Sequence, residues 1–242
     1  MIIVIKKIVC DTYDELCLTA ADVFTEQLKK KPDSVLGLAT GETALGLYDE
    51  LISRYNAGKV DFSKAQSFNL DEYYPIDPEH RQSYVYYMKE NFFDKVNLAK
   101  YQLPDGMATD PDAEGIRFDE EIDKAGGIDL IVLGIGHNGH IGFNEPAPSY
   151  YFGTHLEDLA ESSITANSRF FEADEVQPTK ALTMGMGTIF KAKKIIQLVS
   201  GAGKAEIVKR VSDGMIHTDI PTSLLHLHPD MTMIVDKKAN GE

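Results

Sequence analysis

Residues 128–146 read IDLIVLGIGHNGHIGFNEP, and this stretch decides the fold of the chain. Its apolar, largely β-branched run is typical of a buried strand in a parallel sheet. Ligands of open α/β sheets bind just beyond the carboxyl ends of such strands. We therefore expect an α/β fold with a functional site where this strand ends. The polar residues that follow the strand are His137, Asn138, His140, Asn144 and Glu145.

Strand and helix patterns alternate along the rest of the chain. The predicted strands are 2–9, 34–38, 65–70, 128–135, 194–199 and 232–235. The predicted helices are 12–31, 43–56, 83–93, 112–124, 179–191 and 204–215. This alternation predicts a single domain over residues 1–242, a doubly wound, mainly parallel sheet with helices on both faces. Residues 146–178 form the one long irregular stretch, which we interpret as an active-site lid.

Composition excludes several classes of partner. The 242 residues carry 24 Lys and Arg against 38 Asp and Glu, a net charge of −14 that disfavours nucleic acid and anionic membranes. No apolar run approaches the roughly 18 residues that span a bilayer. Lysines follow the first apolar residues, the reverse of a signal peptide. With only Cys10 and Cys17 and no disulfide framework, we expect a cytoplasmic protein.

Residues 37–44, GLATGETA, predict a turn between a strand and a helix that suits a phosphate group. Gly41 permits tight backbone geometry, Thr40 and Thr43 add hydroxyls, and the helix start offers N–H groups. Glu42 would oppose an anion unless its side chain points away. The turn lacks the Gly-Lys-Ser/Thr ending of a nucleotide-binding loop. A helix merely capped by threonine explains this segment equally well.

Residues 67–75, SFNLDEYYP, place two carboxylates directly after a short apolar strand. Asp71, partly buried by neighbouring aromatic rings, could have a raised pKa and act as a base. Taken alone, a helix cap or a turn aspartate explains Asp71 and Glu72 better.

The glycine turn after residue 133 allows four interpretations. Its Gly134-x-Gly136-x-x-Gly139 spacing matches a dinucleotide fingerprint, but it lies past mid-chain, and Pro146 leaves no room for the expected helix. A metal site is disfavoured because His137 and His140 have no recognisable further ligands. We favour a proton-transfer histidine flanked by Glu145 over structural loop histidines.

Two cations complete the set of candidate residues. Arg169 lies between aromatic residues in the predicted lid, and Lys204 follows a strand and a glycine turn at a helix start. A cation gains nothing from the dipole at a helix start, so Lys204 suits a shared anion. Each alone is explained as a solvated surface charge, but with residues 40–43 they predict one phosphate pocket.

These segments, in this order, resemble the glucosamine-6-phosphate deaminase (isomerase) family over nearly the whole chain. The match includes the 37–43 turn, LDEY at 70–73, Lys204 and LHLH at 225–228. The most specific block is GHIGFNEP at 139–146. The resemblance implies a cofactor-independent enzyme of amino-sugar catabolism that converts glucosamine 6-phosphate and water to fructose 6-phosphate and ammonia.

The resemblance also implies residue roles. His140 would open the sugar ring, since an imidazole can both accept and donate protons near neutral pH. Glu145 would orient the ring of His140 and stabilise its protonated form. Asp71 would move the C2 proton to C1. The groups implied to hold the 6-phosphate are Arg169, Lys204 and the backbone of residues 40–43.

Two departures from the family pattern matter. Many members have Asp where this chain has Asn138, although Asn also occurs; an amide stabilises a protonated imidazole less than a carboxylate does. Some relatives are hexamers activated by N-acetylglucosamine 6-phosphate through cations shortly after the Asn-Glu-Pro block. This chain has Pro148, Ser149, His155 and Glu157 there. We expect a non-allosteric enzyme, a monomer or homo-oligomer.

Two alternatives remain open. A 6-phosphogluconolactonase has a similar fold and a Gly-His turn, but it needs neither residues 143–146 nor the Asp71 base. A sugar-phosphate-sensing domain would not need the proton-transfer groups.

Overall fold

The computed structural model describes residues 5–161, 164, 165, 168, 171 and 175–242. Its strands are β1 (Lys6–Cys10), β2 (Val35–Leu38), β3 (Gln66–Asn69), β4 (Asp71–Tyr74), β5 (Lys100–Gln102), β6 (Leu130–Leu133), β7 (His155–Asp158), β8 (Lys180–Thr183), β9 (Ile195–Val199) and β10 (Met231–Asp236). Its helices are α1 (Tyr13–Lys30), α2 (Glu42–Asn56), α3 (Tyr84–Asn91), α4 (Pro111–Lys124), α5 (Met186–Phe190) and α6 (Ala205–Val211). Short 3-10 turns cover Phe93–Lys95, Ala202–Lys204 and Pro221–Leu227.

A seven-stranded parallel sheet flanked by helices confirms the predicted α/β fold. Its strand order is β1-β10-β9-β6-β2-β3-β5. From β2 the chain builds outward through β3 and β5 on one side, then returns to add β6, β9 and β10 on the other. The order therefore reverses between β2 and β6, and a crevice for ligands is expected at the carboxyl ends of these two strands.

A smaller antiparallel sheet, β4-β8-β7, continues from the carboxyl end of β3. The sequence pattern does not predict this second sheet. Residues 179–191 were predicted to be one helix, but they form β8 and then the short α5; residues 146–178 were predicted to be irregular, but they contain β7. Both differences have one cause: β8 pairs with β4 on one side and β7 on the other, and such non-local pairing overrides local propensity.

Local signals set the helix starts, and a close-packed core fixes the sheet. Thr12 caps α1 and Ser83 caps α3, each accepting a backbone N–H through its hydroxyl. A Cβ on Gly37 would lie 2.4 Å from Ile131 Cγ1, so glycine in β2 leaves room for the Ile131 side chain of the neighbouring β6. Among the described residues, no helix combines the length and apolar character needed to cross a bilayer.

Candidate active site

A cleft of about 650 Å³ opens at the carboxyl ends of β2, β3 and β6, where the strand order reverses. The sequence-predicted residues that line it are Thr40, Gly41, Glu42, Thr43, Asp71, Asn138, His140 and Lys204. Glu145 is not among the lining residues, but its carboxylate contacts His140, which is. Arg169 lies outside the described residues.

The turn between β2 and α2 forms one wall of the cleft. Gly41 has a φ of 103°, a left-handed conformation that favours glycine. It is also the N-cap of α2 and makes no side-chain capping bond. The first N–H groups of this 15-residue helix therefore have no side-chain cap, and an anion in the cleft could bind them.

Lys204 reaches the same cleft from the turn after β9. Its Nζ donates a hydrogen bond to the Ile135 carbonyl at 2.8 Å and lies 3.4 Å from His137 Nδ1. Burial lowers the pKa of Lys204, since a desolvated ammonium is less stable than a hydrated one. Buried Asp236 fixes the preceding turn by accepting hydrogen bonds from Ser200 Oγ and the Gly201 N–H.

Asp71, the first residue of β4, supplies a buried carboxylate to the cleft. Burial raises its pKa to about 8, and the negative charge of Glu72 adds to the shift. The Glu72 carboxylate accepts N–H bonds of 2.8 Å from Tyr73, 2.8 Å from Tyr84 and 2.9 Å from Val85. It is thus bound to the start of α3, and these three donors favour its ionised form although burial raises its pKa.

His140 belongs to a small polar cluster in the turn after β6. Its Nδ1 lies 3.0 Å from Glu145 Oε1, close enough for an ion pair when the imidazole is protonated, although the two atoms are not aligned as a hydrogen bond. Asn138 donates its amide to Glu145 Oε2 at 2.6 Å and accepts the His140 backbone N–H at 3.2 Å. Asn138 and Glu145 therefore fix the turn that carries His140.

Glycine at two positions leaves room for the side chains of His140 and Asp71. A Cβ on Gly136 would lie 2.3–2.4 Å from the His140 ring atoms, so the imidazole packs directly against this backbone. A Cβ on Gly142 would lie 2.9 Å from Thr183 Oγ1 and 3.3 Å from Asp71 Oδ2. Glycine at these two positions therefore lets the backbone of the turn lie close to the His140 ring and to Asp71, where a side chain would collide with them.

Residues 11–234 match the family model described as glucosamine-6-phosphate isomerases/6-phosphogluconolactonase. The chain belongs to this family. It is 50% identical to a glucosamine-6-phosphate deaminase of Thermoanaerobacter pseudethanolicus, covering 97% of this chain and 93% of that protein. It is 51% identical to one of Halothermothrix orenii, covering 97% and 98%.

Solved structures of the isomerase/lactonase family agree with this fold. A monomeric glucosamine-6-phosphate deaminase matches with a TM-score of 0.94 and 41% identity, over 98% of this chain and 99% of that one. A 6-phosphogluconolactonase from Trypanosoma brucei matches with a TM-score of 0.75 and 17% identity, covering 98% of each chain. The second likeness extends to the fold alone.

Three contacts in the cleft of this family member are not predicted by the sequence pattern. Tyr84, at the start of α3, lines the cleft and stacks on Phe143 with ring centroids 6.4 Å apart and an interplanar angle of 2°. His137 lines it beside Lys204, and Glu72 joins α3 to the Asp71 strand. Ser83 predicted the start of α3, but no local signal brings that start to Glu72.

The turn after β6 differs from a dinucleotide-binding turn. After Gly139 the chain makes a turn with a bridge between Ile141 and Asn144, where a dinucleotide site requires a long helix. Among the described residues, no three His, Cys, Asp or Glu side chains form a group suited to a metal ion.

Proposed function

We propose that this chain converts glucosamine 6-phosphate and water to fructose 6-phosphate and ammonia. The observation that supports this most is that a single cleft is lined by a buried carboxylate, an imidazole that contacts a carboxylate, an uncapped helix start and a lysine. Relatives about half identical over nearly the whole chain are deaminases of that substrate, which agrees with the same chemistry.

The 6-phosphate binds at the 40–43 turn and Lys204, and Arg169 is a further cation in this proposal. Binding energy from this non-reacting group holds the sugar in register with the reacting carbons. His140 then removes the proton from O1 of the closed sugar and delivers a proton to O5, so the C1–O5 bond breaks and an aldehyde forms at C1. Glu145 stabilises the protonated imidazole between these transfers.

Asp71 carries out the isomerisation. It removes the C2 proton, the C2–H electron pair forms a C1=C2 double bond, and O1 takes up the proton that the C2 ammonium loses, so the nitrogen becomes a neutral amine whose lone pair can form the C2=N bond. Asp71 then returns its proton to C1, which leaves an imine at C2. Water adds to the imine, and ammonia leaves to give the ketone.

The raised pKa of Asp71 is compatible with this role because the substrate carries an amino group at C2. An ammonium beside Asp71 favours the carboxylate, so substrate binding converts the protonated acid into the base that the next step needs. In the empty cleft, ionisation of Asp71 is complete only well above pH 8. We therefore expect kcat/KM to rise with pH through about 8 and to level off above that value.

The test is a product assay on two substrates. The enzyme is expected to release ammonia from glucosamine 6-phosphate and not to accelerate the spontaneous hydrolysis of 6-phosphogluconolactone. In D₂O the fructose 6-phosphate should carry deuterium at C1 because Asp71 exchanges its proton with solvent. Lactone hydrolysis without ammonia release would establish the lactonase alternative; binding of either compound without turnover would indicate a sensor.

We further propose that the enzyme is a monomer with hyperbolic kinetics. The positions that carry activator-binding cations in allosteric relatives have other residues here, and His155 Nε2 contacts Glu157 Oε2 at 3.0 Å. Light scattering during gel filtration should give the monomer mass of 26.8 kDa. N-acetylglucosamine 6-phosphate should leave the shape of the rate curve unchanged; activation by it would contradict this proposal.

A further inference from the structure

His137 lines the active-site cleft, yet the mechanism above gives it no role. It lies in the turn after β6, and Lys204 reaches it from the turn after β9. The 3.4 Å between His137 Nδ1 and Lys204 Nζ allows the neutral imidazole to accept a hydrogen bond from the ammonium. A protonated imidazole could not accept that bond and would repel Lys204.

The charges around His137 keep it neutral while the cleft is empty. The ammonium of Lys204 lowers the pKa of His137, and burial and the neighbouring His140 act in the same direction. Glu42 and the uncapped start of α2 line the same cleft. The lowering of the His137 pKa by Lys204 applies only while no anion lies beside the ammonium.

A bound phosphate reverses this balance. A phosphate oxygen about 2.8 Å from Lys204 Nζ must lie within roughly 6 Å of His137 Nδ1. At that separation a dianion favours the protonated imidazole, although the exposure of His137 screens part of the attraction. The dianion therefore removes the repulsion from Lys204 and adds an attraction of its own.

We propose that His137 is a second, proton-dependent cation of the phosphate subsite, which becomes charged when the phosphate of the sugar binds beside Lys204. This inference rests on the proposed function, because it concerns the same subsite. It adds a property: sugar-phosphate binding takes up a proton, and the affinity strengthens as the pH falls from about 8 toward the ordinary histidine value near 6.5.

Titration calorimetry with D-glucitol 6-phosphate measures this coupling, since this open-chain ligand has neither the carbonyl nor the amine needed for turnover. Heats in buffers of different ionisation enthalpy give the number of protons taken up at a pH near 6.5. The variant is His137→Gln, with His137→Asn as a second neutral replacement. The matched control is His217→Gln, a histidine paired with Asp213 outside the cleft lining.

The wild type and His217→Gln are expected to take up about half a proton more than either His137 variant. At about pH 8.5, where His137 is neutral in the wild type, all four proteins should bind the ligand with similar affinity. Equal proton uptake near pH 6.5, or a weaker His137 variant at both pH values, overturns the proposal.

The two proposals can fail separately. His137-dependent proton uptake in a protein that releases no ammonia from glucosamine 6-phosphate would refute the proposed function and leave this inference standing. Ammonia release without that uptake would do the reverse. Failure of every variant and the wild type to bind glucitol 6-phosphate would overturn the phosphate subsite, and this inference with it.

Discussion

Asp71 and Lys204 line the same cleft, yet burial moves their pKa values in opposite directions, raising that of Asp71 to about 8 and lowering that of Lys204. The cause is the same in both cases, because each group is more stable uncharged when water is removed from it. The supporting groups differ: a carboxylate, Glu72, stands beside Asp71, whereas a carbonyl, that of Ile135, holds Lys204. A ligand with an ammonium at one end and a phosphate at the other would favour the charged form of both groups, because the ammonium would lie beside Asp71 and the phosphate beside Lys204.

The largest expected effect is a fall in kcat when Asp71, at the reacting end of the cleft, is changed. Asp71→Asn keeps the shape of the side chain but removes the base, so kcat should fall by about 10²–10⁴-fold with little change in KM. Steady-state ammonia release measures both constants. Asp77→Asn is the control, since Asp77 is exposed and its carboxylate accepts the backbone N–H of Glu79 in a turn. A fall confined to KM would mean that Asp71 binds substrate and does not move its proton.

Lys204→Gln should act mainly on KM. Removing a charged hydrogen bond to the phosphate costs about 1.5–3 kcal/mol, so KM should rise by roughly 10–100-fold with a smaller change in kcat. Lys209→Gln, an exposed lysine on α6, is the matched control. If kcat fell as far as in Asp71→Asn, the proposed division of the cleft into a binding end and a reacting end would be wrong.

Glu72→Gln tests how much the negative charge of Glu72 contributes to the raised pKa of Asp71. Removing the neighbouring negative charge lowers the pKa of Asp71, and Asp71 must be ionised to accept the C2 proton. The rising limb of kcat/KM should therefore move to lower pH, by about one unit. Glu79→Gln, an exposed position that contacts Lys89, should leave the profile unchanged. An unmoved limb in Glu72→Gln would show that burial alone sets the pKa of Asp71.

The smallest effect is expected from Asn138→Asp. The new carboxylate would lie where an amide now donates to Glu145 at 2.6 Å, placing two acidic groups beside His140. Both carboxylates favour the protonated imidazole of His140, so the acidic limb of the kcat/KM profile should shift to higher pH. Asn138 is exposed, so we expect a shift of about half a unit. No shift would mean that position 138 only orients the turn.

The parallel sheet could be predicted from sequence because its signals are local. Thr12, Ser83 and Asp110 cap helices where the pattern indicated helix starts, and the 128–135 run contains β6. The antiparallel sheet could not be predicted in this way. Lys180–Thr183 becomes a strand only because β4 and β7 lie on either side of it, and nothing within those four residues encodes that pairing.

The same distinction holds for the site. Motifs identified the cleft-lining residues that stand at strand ends, since strand ends converge by topology. The contacts of Glu72 with the start of α3, and of His137 with Lys204, join residues 12 and 67 positions apart. Their distances depend on packing, which no local pattern reports.

Gly136 has a consequence for how this protein tolerates mutation. Even the methyl group of alanine at this position would overlap the His140 ring, so the imidazole would have to leave its place. A substitution survey scored by turnover should find position 136 nearly as intolerant as position 140, although glycine contributes no functional group. Selection for a working catalyst would then preserve an absence of atoms as strictly as it preserves a reactive side chain.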